Sequence, residues 1–219
     1  MNGHAFRLAG AALLALPSGA LHWPAAELLC VADLHLGKSQ RLARRGGALL
    51  PPYETEATLA RLDADLANTM PARVICLGDS FDDLDAGTEI DAAHRLWLLR
   101  MMAGRVWVWI AGNHDPGPLS LGGTYRAEWH QGPLTFRHIA APDAASGEVS
   151  AHYHPKWRLA GRTRPCFVTD GSRLILPAYG TYTGGLPADA PALRALFAPT
   201  PIAILTGNRA LAVPLPASP

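Results

Sequence analysis

Short apolar runs punctuate the first half of the chain, and longer stretches with helical spacing separate them. Residues 28–32 (LLCVA), 73–77 (RVICL) and 106–111 (VWVWIA) are too short for helices and nearly free of polar positions. They predict strands buried on both faces. Within 53–68, Leu59, Leu62 and Leu66 recur at three and four residues, and Pro51-Pro52 suits a helix start. Ile90, Ala93, Trp97 and Met101 repeat that spacing through 89–102. Strand, helix, strand, helix, strand in that order predicts parallel strands joined by crossover helices.

Beyond Ser120 the pattern shortens into strands and turns. Residues 134–137 and 148–151 predict strands. Residues 166–176 (CFVTDGSRLIL) read as a hairpin turned at Asp170-Gly171, and 202–213 (IAILTGNRALAV) as a second turned near Gly207-Asn208. An α/β half followed by antiparallel strands implies an α/β fold of two packed mixed β-sheets flanked by helices. One domain is expected over 1–213, with the Pro-rich 214–219 as a flexible tail. Near the start, 6–21 (FRLAGAALLALPSGAL) has the outline of a secretory leader. Arg7 is its sole positive charge, and Pro17-Ser18-Gly19 reads better as a turn between two short strands.

Composition narrows the class. The 219 residues are 49% hydrophobic and 17% charged, which fits one folded domain and excludes a disordered chain. No run reaches the ~20 apolar residues of a membrane-spanning helix. A formal net charge of +1 does not mark a nucleic-acid binder, but the charge is unevenly spread. Residues 38–45 (KSQRLARR) and 156–164 (KWRLAGRTR) hold eight of the nineteen Lys and Arg residues and no acid. Cys30, Cys76 and Cys166 are odd in number, widely spaced and set in apolar runs. They read as reduced core residues of a cytoplasmic protein.

Chemistry collects where the predicted strands end. In open α/β sheets, functional groups lie beyond the carboxyl ends of the parallel strands. The first run delivers Asp33 and His35 (ADLHLG), the second Asp79 (LGDSFDD), the third Asn113 and His114 (AGNHDPG). Later come His138 (FRHIA), then His152 and His154 (SAHYHP). Each has a plain alternative: a turn for Gly-Asp, a helix cap for Gly-Asn-His-Asp, a core position for a lone histidine. Together, in order and each at a strand end, they point to a site. Oxygen and imidazole donors without thiolate suit Mn²⁺, Fe or Zn²⁺. One ion does not need so many donors. Two ions sharing a carboxylate do, and such a pair suits in-line displacement at phosphorus.

The order Asp-x-His, Gly-Asp, Gly-Asn-His-Asp, His, His-x-His resembles that of the calcineurin-like binuclear metallophosphoesterases. The stretches VADLHLGKSQRLARRGGALLPPYE, LGDSFDDL, GNHDPG and RPCFVTDGSRLILPAYGTYTGGL are similar to the bacterial ligase-associated DNA-damage-response (PdeM-type) branch, and the resemblance covers residues 8–186. It implies the calcineurin-like sandwich and two divalent metal ions, Mn²⁺ ahead of Fe or Zn²⁺. It also implies that Asp33, His35, Asp79 and His154 hold the first metal. Asp79 would bridge, and Asn113, His138 and His152 would complete the second. His130 competes for the single-histidine motif. His138 is preferred because it ends a strand-like run, whereas His130 sits in a Gly-flanked turn.

By the same resemblance, His114 stays off the metals and assists the transferring phosphoryl group or its leaving oxygen. Two positions depart from the pattern. Ala151 stands where the superfamily carries Gly before His-x-His. Asp82 stands where many members of the branch carry His, and phosphatases of the superfamily place Asp there to orient the catalytic histidine. Asp82 is therefore expected to pair with His114, with Asp83 and Asp85 simply solvated. The basic residues Lys38, Arg41, Arg44, Arg45, Lys156, Arg158, Arg162 and Arg164 are expected to rim the site and contact a nucleic-acid backbone. A solvated helix face is the plain alternative for Arg41–Arg45. The expected activity is a phosphodiesterase that cuts DNA during repair, the alternative substrate being a small nucleotide or a phosphoprotein. A ligase or helicase partner follows from the branch alone.

Overall fold

The computed structural model describes residues 2–44, 46, 53–83, 90–115, 117 and 121–216, without the side chains of Gln40, Ala43 and Arg44. The chain opens with an antiparallel meander, β1 (His4–Leu8), β2 (Ala11–Ala15) and β3 (Leu21–Trp23). Segment 6–21 is thus built into a sheet, with the turn at Pro17-Ser18-Gly19 where the hairpin reading expects it. Strand β4 (Leu28–Val31) pairs antiparallel with β3. Strands β5 (Arg73–Leu77), β6 (Val106–Ile110) and β7 (Thr124–Arg126) then follow in parallel. These seven strands lie side by side in chain order.

The crossover segments are α1 (Lys38–Arg44), α2 (Glu54–Thr69) and α3 (Ala92–Met102). Pro51, Pro52 and Glu89 lie outside the described residues. Helix α3 begins after Asp91, whose carboxylate caps it by accepting from the Ala93 amide at 2.8 Å.

The second sheet contains β8 (Glu128–Gln131), β9 (Leu134–Arg137), β10 (Glu148–Ser150), β12 (Arg162–Thr169), β13 (Arg173–Ile175), β14 (Ile202–Leu205) and β15 (Leu211–Pro214). Its order is β15-β14-β12-β13-β10-β9-β8, and β11 (Lys156–Leu159) pairs with the start of β12. Both expected hairpins are present, β12–β13 and β14–β15. Strand β15 runs through Pro214 and Leu215 is buried, so the packed chain extends beyond residue 213; residues 217–219 lie outside the described part. A short helix, α4 (Pro191–Arg194), covers the outer face of this sheet with Leu193.

The buried strands obey the two-residue period of a pleated sheet. Cys30, Ile75, Leu77, Val108 and Ile110 face Phe136, Val149, Phe167, Leu174 and Ile204 between the sheets. Their neighbours Leu29, Val31, Val74, Cys76, Trp107 and Trp109 pack on the opposite face, under α2 and α3. Leu59, Leu62 and Leu66 form the buried stripe of α2, each contributing about 1.5–3 kcal/mol by leaving water. All three cysteines are free and buried. Among the described residues, no helix is long and apolar enough to cross a membrane.

Candidate metal centre

Every candidate ligand leaves its strand at the same end of the sandwich. The loops after β4 and β5 go on pairing beyond the strands themselves. The amides of Asp33, His35 and Leu36 donate to the carbonyls of Gly78, Asp79 and Ser80 at 3.2, 2.9 and 3.0 Å. The Ala151 amide donates to the His138 carbonyl at 2.9 Å, and the Gly180 amide reaches the Asp33 carbonyl at 3.0 Å, tying the second sheet to the first.

This pairing holds the backbone in an uncommon shape. Asp33, His35, Asp79, His152 and His154 have φ of 50, 45, 46, 73 and 47°, and they are half of the non-glycine residues with positive φ among the described residues. Such conformations cost roughly 1–3 kcal/mol each and persist where surrounding bonds over-determine them. Two glycines are required by close approach. A Cβ on Gly78 would lie 2.3 Å from His138 Nδ1, and one on Gly112 would lie 2.1 Å from Asp79 Oδ1. Ala151 needs no such freedom, since its φ is not positive and its methyl is buried without displacing the turn.

Hydrogen-bond partners decide which imidazole nitrogen faces the centre. His138 Nδ1 lies 3.0 Å from the Leu77 carbonyl oxygen. A carbonyl only accepts, so Nδ1 carries the proton and Nε2 presents its lone pair. That Nε2 is 3.0 Å from Asn113 Oδ1 and 3.4 Å from Asp79 Oδ2. His35 Nδ1 lies 3.0 Å from Asp82 Oδ1, which leaves its Nε2 for the site. His152 Nδ1 is 2.9 Å from Asn113 Oδ1, and His154 Nε2 is 3.3 Å from Asp33 Oδ1. Three overlapping groups result: Asp33, His35 and His154; His35, Asp79 and His114; Asp79, His138 and His152. In each, the donor atoms lie within 4.8 Å of one another. Asp79 is common to the last two.

Burial by itself would raise the Asp79 pKa, but the hydrogen bond and charge of His138, with the His114 amide, hold it at about 2. The carboxylate is therefore ionised at neutral pH and ready for a cation. Asp115 goes the other way, to about 6, because burial and the nearby Asp79 charge outweigh the Ser80 and Phe81 amides that donate to it. The buried thiols of Cys30, Cys76 and Cys166 are all pushed up by desolvation, which leaves oxygen and imidazole as the donor set.

A family model described as calcineurin-like phosphoesterase matches residues 26–188. The chain belongs to the calcineurin-like phosphoesterase family. Among solved structures it is similar to one titled "Crystal structure of Pseudomonas putida nuclease MPE". The two are 34% identical with a TM-score of 0.77, covering 98% of this chain and 100% of that one. No curated protein sequence matches the chain significantly. The protein is accordingly a metal-dependent phosphoesterase, a hydrolase with the two-sheet sandwich of its family.

The residues of this phosphoesterase fit divalent metal. Asp33 Oδ1, both ring nitrogens of His35 and His154 Nε2 are buried without a hydrogen bond. The 3.0 Å approach of His35 Nδ1 to Asp82 and the 3.3 Å approach of His154 to Asp33 are ion-pair contacts, and Asp33, His35 and His154 belong to one donor group. Buried polar atoms left without hydrogen bonds in one donor group are costly unless a cation completes them. Imidazoles whose other nitrogen is tied to a carbonyl or carboxylate are the usual form of metal-binding histidine.

Two expectations need correction at this site. The Asp82 carboxylate does not face His114: it contacts His35 through Oδ1 and Arg41 through Oδ2. The main-chain carbonyl of Asp82 holds His114 instead, 2.8 Å from Nδ1. His130 is not in a turn but on strand β8, exposed, where it bonds Glu128 and Thr135 away from the centre. Asp115, the last residue of GNHD, is not among the expected site residues, yet its carboxylate braces the loop carrying Ser80 and Phe81 by accepting from both amides.

Among the basic residues, Arg41 is committed to Asp82, and Lys156 Nζ donates to the Thr183 carbonyl at 2.8 Å. Lys38 lies at the start of α1; Arg45 and the Arg44 side chain lie outside the description. Asp85 does too. Pairing register divides the second window. Arg158 opposes Thr163 and Lys156 opposes Pro165, so both lie on the other face of the β11–β12 hairpin from Arg162 and Arg164.

Because the Asp82 carboxylate contacts the candidate ligand His35 rather than His114, Asp82→Asn should act on metal binding. We expect about 10–100-fold weaker affinity, as for other outer partners of metal-binding histidines. Titration of the chelated protein with Mn²⁺ checks this. Unchanged affinity would remove Asp82 from any role in holding His35.

Proposed function

We propose that this phosphoesterase is a Mn²⁺-dependent phosphodiesterase that cleaves DNA. The observation that carries the reading is the chain of three donor groups, the first linked to the second through His35 and the second, which includes His114, to the third through Asp79. Asp33, His35, Asp79 and His154 would hold one ion; Asp79, Asn113, His138 and His152 would hold the other. Bound there, two divalent ions supply Lewis-acid polarisation of phosphoryl oxygens and a water nucleophile active near neutral pH. Oxygen and imidazole donors favour Mn²⁺, with Fe and Zn²⁺ as alternatives.

The chain's own groups set the rest of the chemistry. His114 Nδ1 is fixed to the Asp82 carbonyl, so Nε2 is the atom that can carry a proton to the leaving oxygen. Its amide donates to Asp79 Oδ1 at 2.9 Å, which locks the histidine loop to the carboxylate shared by the donor groups. That coupling keeps proton donor and metal ligands in one register.

The similar Pseudomonas putida protein is named a nuclease, which supports a nucleic-acid substrate for this chain. A repair setting, and a ligase or helicase acting alongside, rest on the sequence resemblance alone. Buried free cysteines favour a reducing cytoplasm. The test is digestion of circular single-stranded and duplex DNA with added Mn²⁺. Breakage of a circle shows endonuclease action and reports strand preference at once. Hydrolysis of bis-p-nitrophenyl phosphate without any attack on DNA would overturn the substrate half of the proposal and favour a small diester.

A further inference from the structure

Strand β12 runs on past its last partner in β14. The pairing ends at Cys166 with Leu205, while residues 162–165 continue against β11. The chain beyond β14 turns away after Thr206, whose amide still reaches the Pro165 carbonyl at 3.0 Å. A cleft of about 570 Å³ opens between the two segments, lined by Arg162, Arg164, Arg209, Pro165, Thr206 and Gly207. The Arg164 guanidinium packs over the turn, 3.5 Å from where a Cβ on Gly207 would lie. Arg162 and Arg209 are exposed. Among the described residues, none of the three arginines is paired with an acid.

The cleft does not end there. Pro165, Thr206 and Gly207 also line a second hollow that continues to Arg61 and Gly180. Gly180 is the residue whose amide holds the Asp33 carbonyl beside the metal donors. Two adjoining hollows that share Pro165, Thr206 and Gly207 therefore lie between Gly180, whose amide is bonded to the Asp33 main chain, and the three arginines. Arg61 is occupied along the way, by the Tyr179 carbonyl and by stacking on its ring at 4.5 Å.

We infer that Arg162, Arg164 and Arg209 bind the backbone phosphates of a nucleic-acid strand beyond the bond being cut. This rests on the nucleic-acid reading above and deepens it by naming where the strand runs. Guanidinium groups without acidic partners can give all their donors to phosphate oxygens, which suits a strand held by its backbone rather than its bases. The assignment also revises the sequence expectation. Arg209 comes from a hairpin turn more than forty residues later and replaces Arg158, which lies on the opposite face of the β11–β12 hairpin.

The experiment uses the full Mn²⁺-loaded chain carrying Arg162→Gln, Arg164→Gln and Arg209→Gln together. Binding of a long single-stranded oligonucleotide should weaken, and the slope of log affinity against log salt should fall by about 2, at ~0.7 per lost contact. KM for the long strand should rise, while cleavage of a dinucleotide and of bis-p-nitrophenyl phosphate stays at wild-type level. The same three positions changed to Lys should recover most of the salt slope, which a purely structural role would not do. Wild-type slope and KM in the Gln variant would overturn the inference. So would a loss of bis-p-nitrophenyl phosphate hydrolysis, or equal weakening for dinucleotide and long strand, which would mark a site for small anions. A wild-type protein that leaves all DNA intact fails at the substrate reading itself, before the arginines are in question.

Discussion

Replacing Asp79 by Ala is expected to empty both metal positions and to abolish hydrolysis of every substrate. The carboxylate is shared by two of the three donor groups, is held ionised with a pKa of about 2, and also accepts from the His114 amide. Its loss should exceed the ~10–100-fold cost of an outer partner, because the charge itself leaves the site. Elemental analysis after gel filtration checks metal content. Asp79→Asn separates charge from shape, since it keeps an acceptor for the His114 amide while losing the anion. Both variants should be depleted. If Asp79→Ala kept two metals while Asn113→Ala lost them, the shared ligand would have to be reassigned.

His114→Ala should do the opposite, keeping metal and losing rate. The substitution leaves the main-chain amide on Asp79 Oδ1, so the loop and the shared carboxylate are undisturbed. A missing general acid typically costs ~10²–10⁴-fold. The loss should be large for a nucleotide leaving group, which departs through a sugar hydroxyl and needs a proton. It should be much smaller for bis-p-nitrophenyl phosphate, because p-nitrophenolate leaves without one. Equal losses on both substrates would show that His114 stabilises phosphoryl charge instead. Removal of metal would show that it is a ligand.

The candidate donors stood out in the sequence because they follow strand-like runs, and the end of a parallel strand is a defined place in an α/β sheet. Periodicity carried the fold equally far. Strand β5 falls where the apolar run predicts it, and α2 where its leucine spacing does. Other elements were not legible. Strand β8 (EWHQ) is polar and half exposed at a sheet edge, and β11 (KWRL) reads as a charge cluster, so neither shows the apolar alternation of a buried strand.

What the sequence alone determined was the inventory: two sheets with helices outside, and oxygen and imidazole donors in a fixed order. Tertiary structure decided how those donors are held. Five candidate ligands have left-handed backbone, which Asp and His visit more readily than most residues yet still uncommonly, and pairing between loops far apart in the chain holds them there. The same holds for Asp82. The rings of His35 and His114 are only 5.1 Å apart, so spacing along the chain cannot say which one the carboxylate takes. Arg41 arrives from α1 to fix Oδ2, His35 takes Oδ1, and the backbone is left to hold His114. Register settled the arginines in the same way, because residues adjacent in a basic run alternate faces once the run becomes a strand.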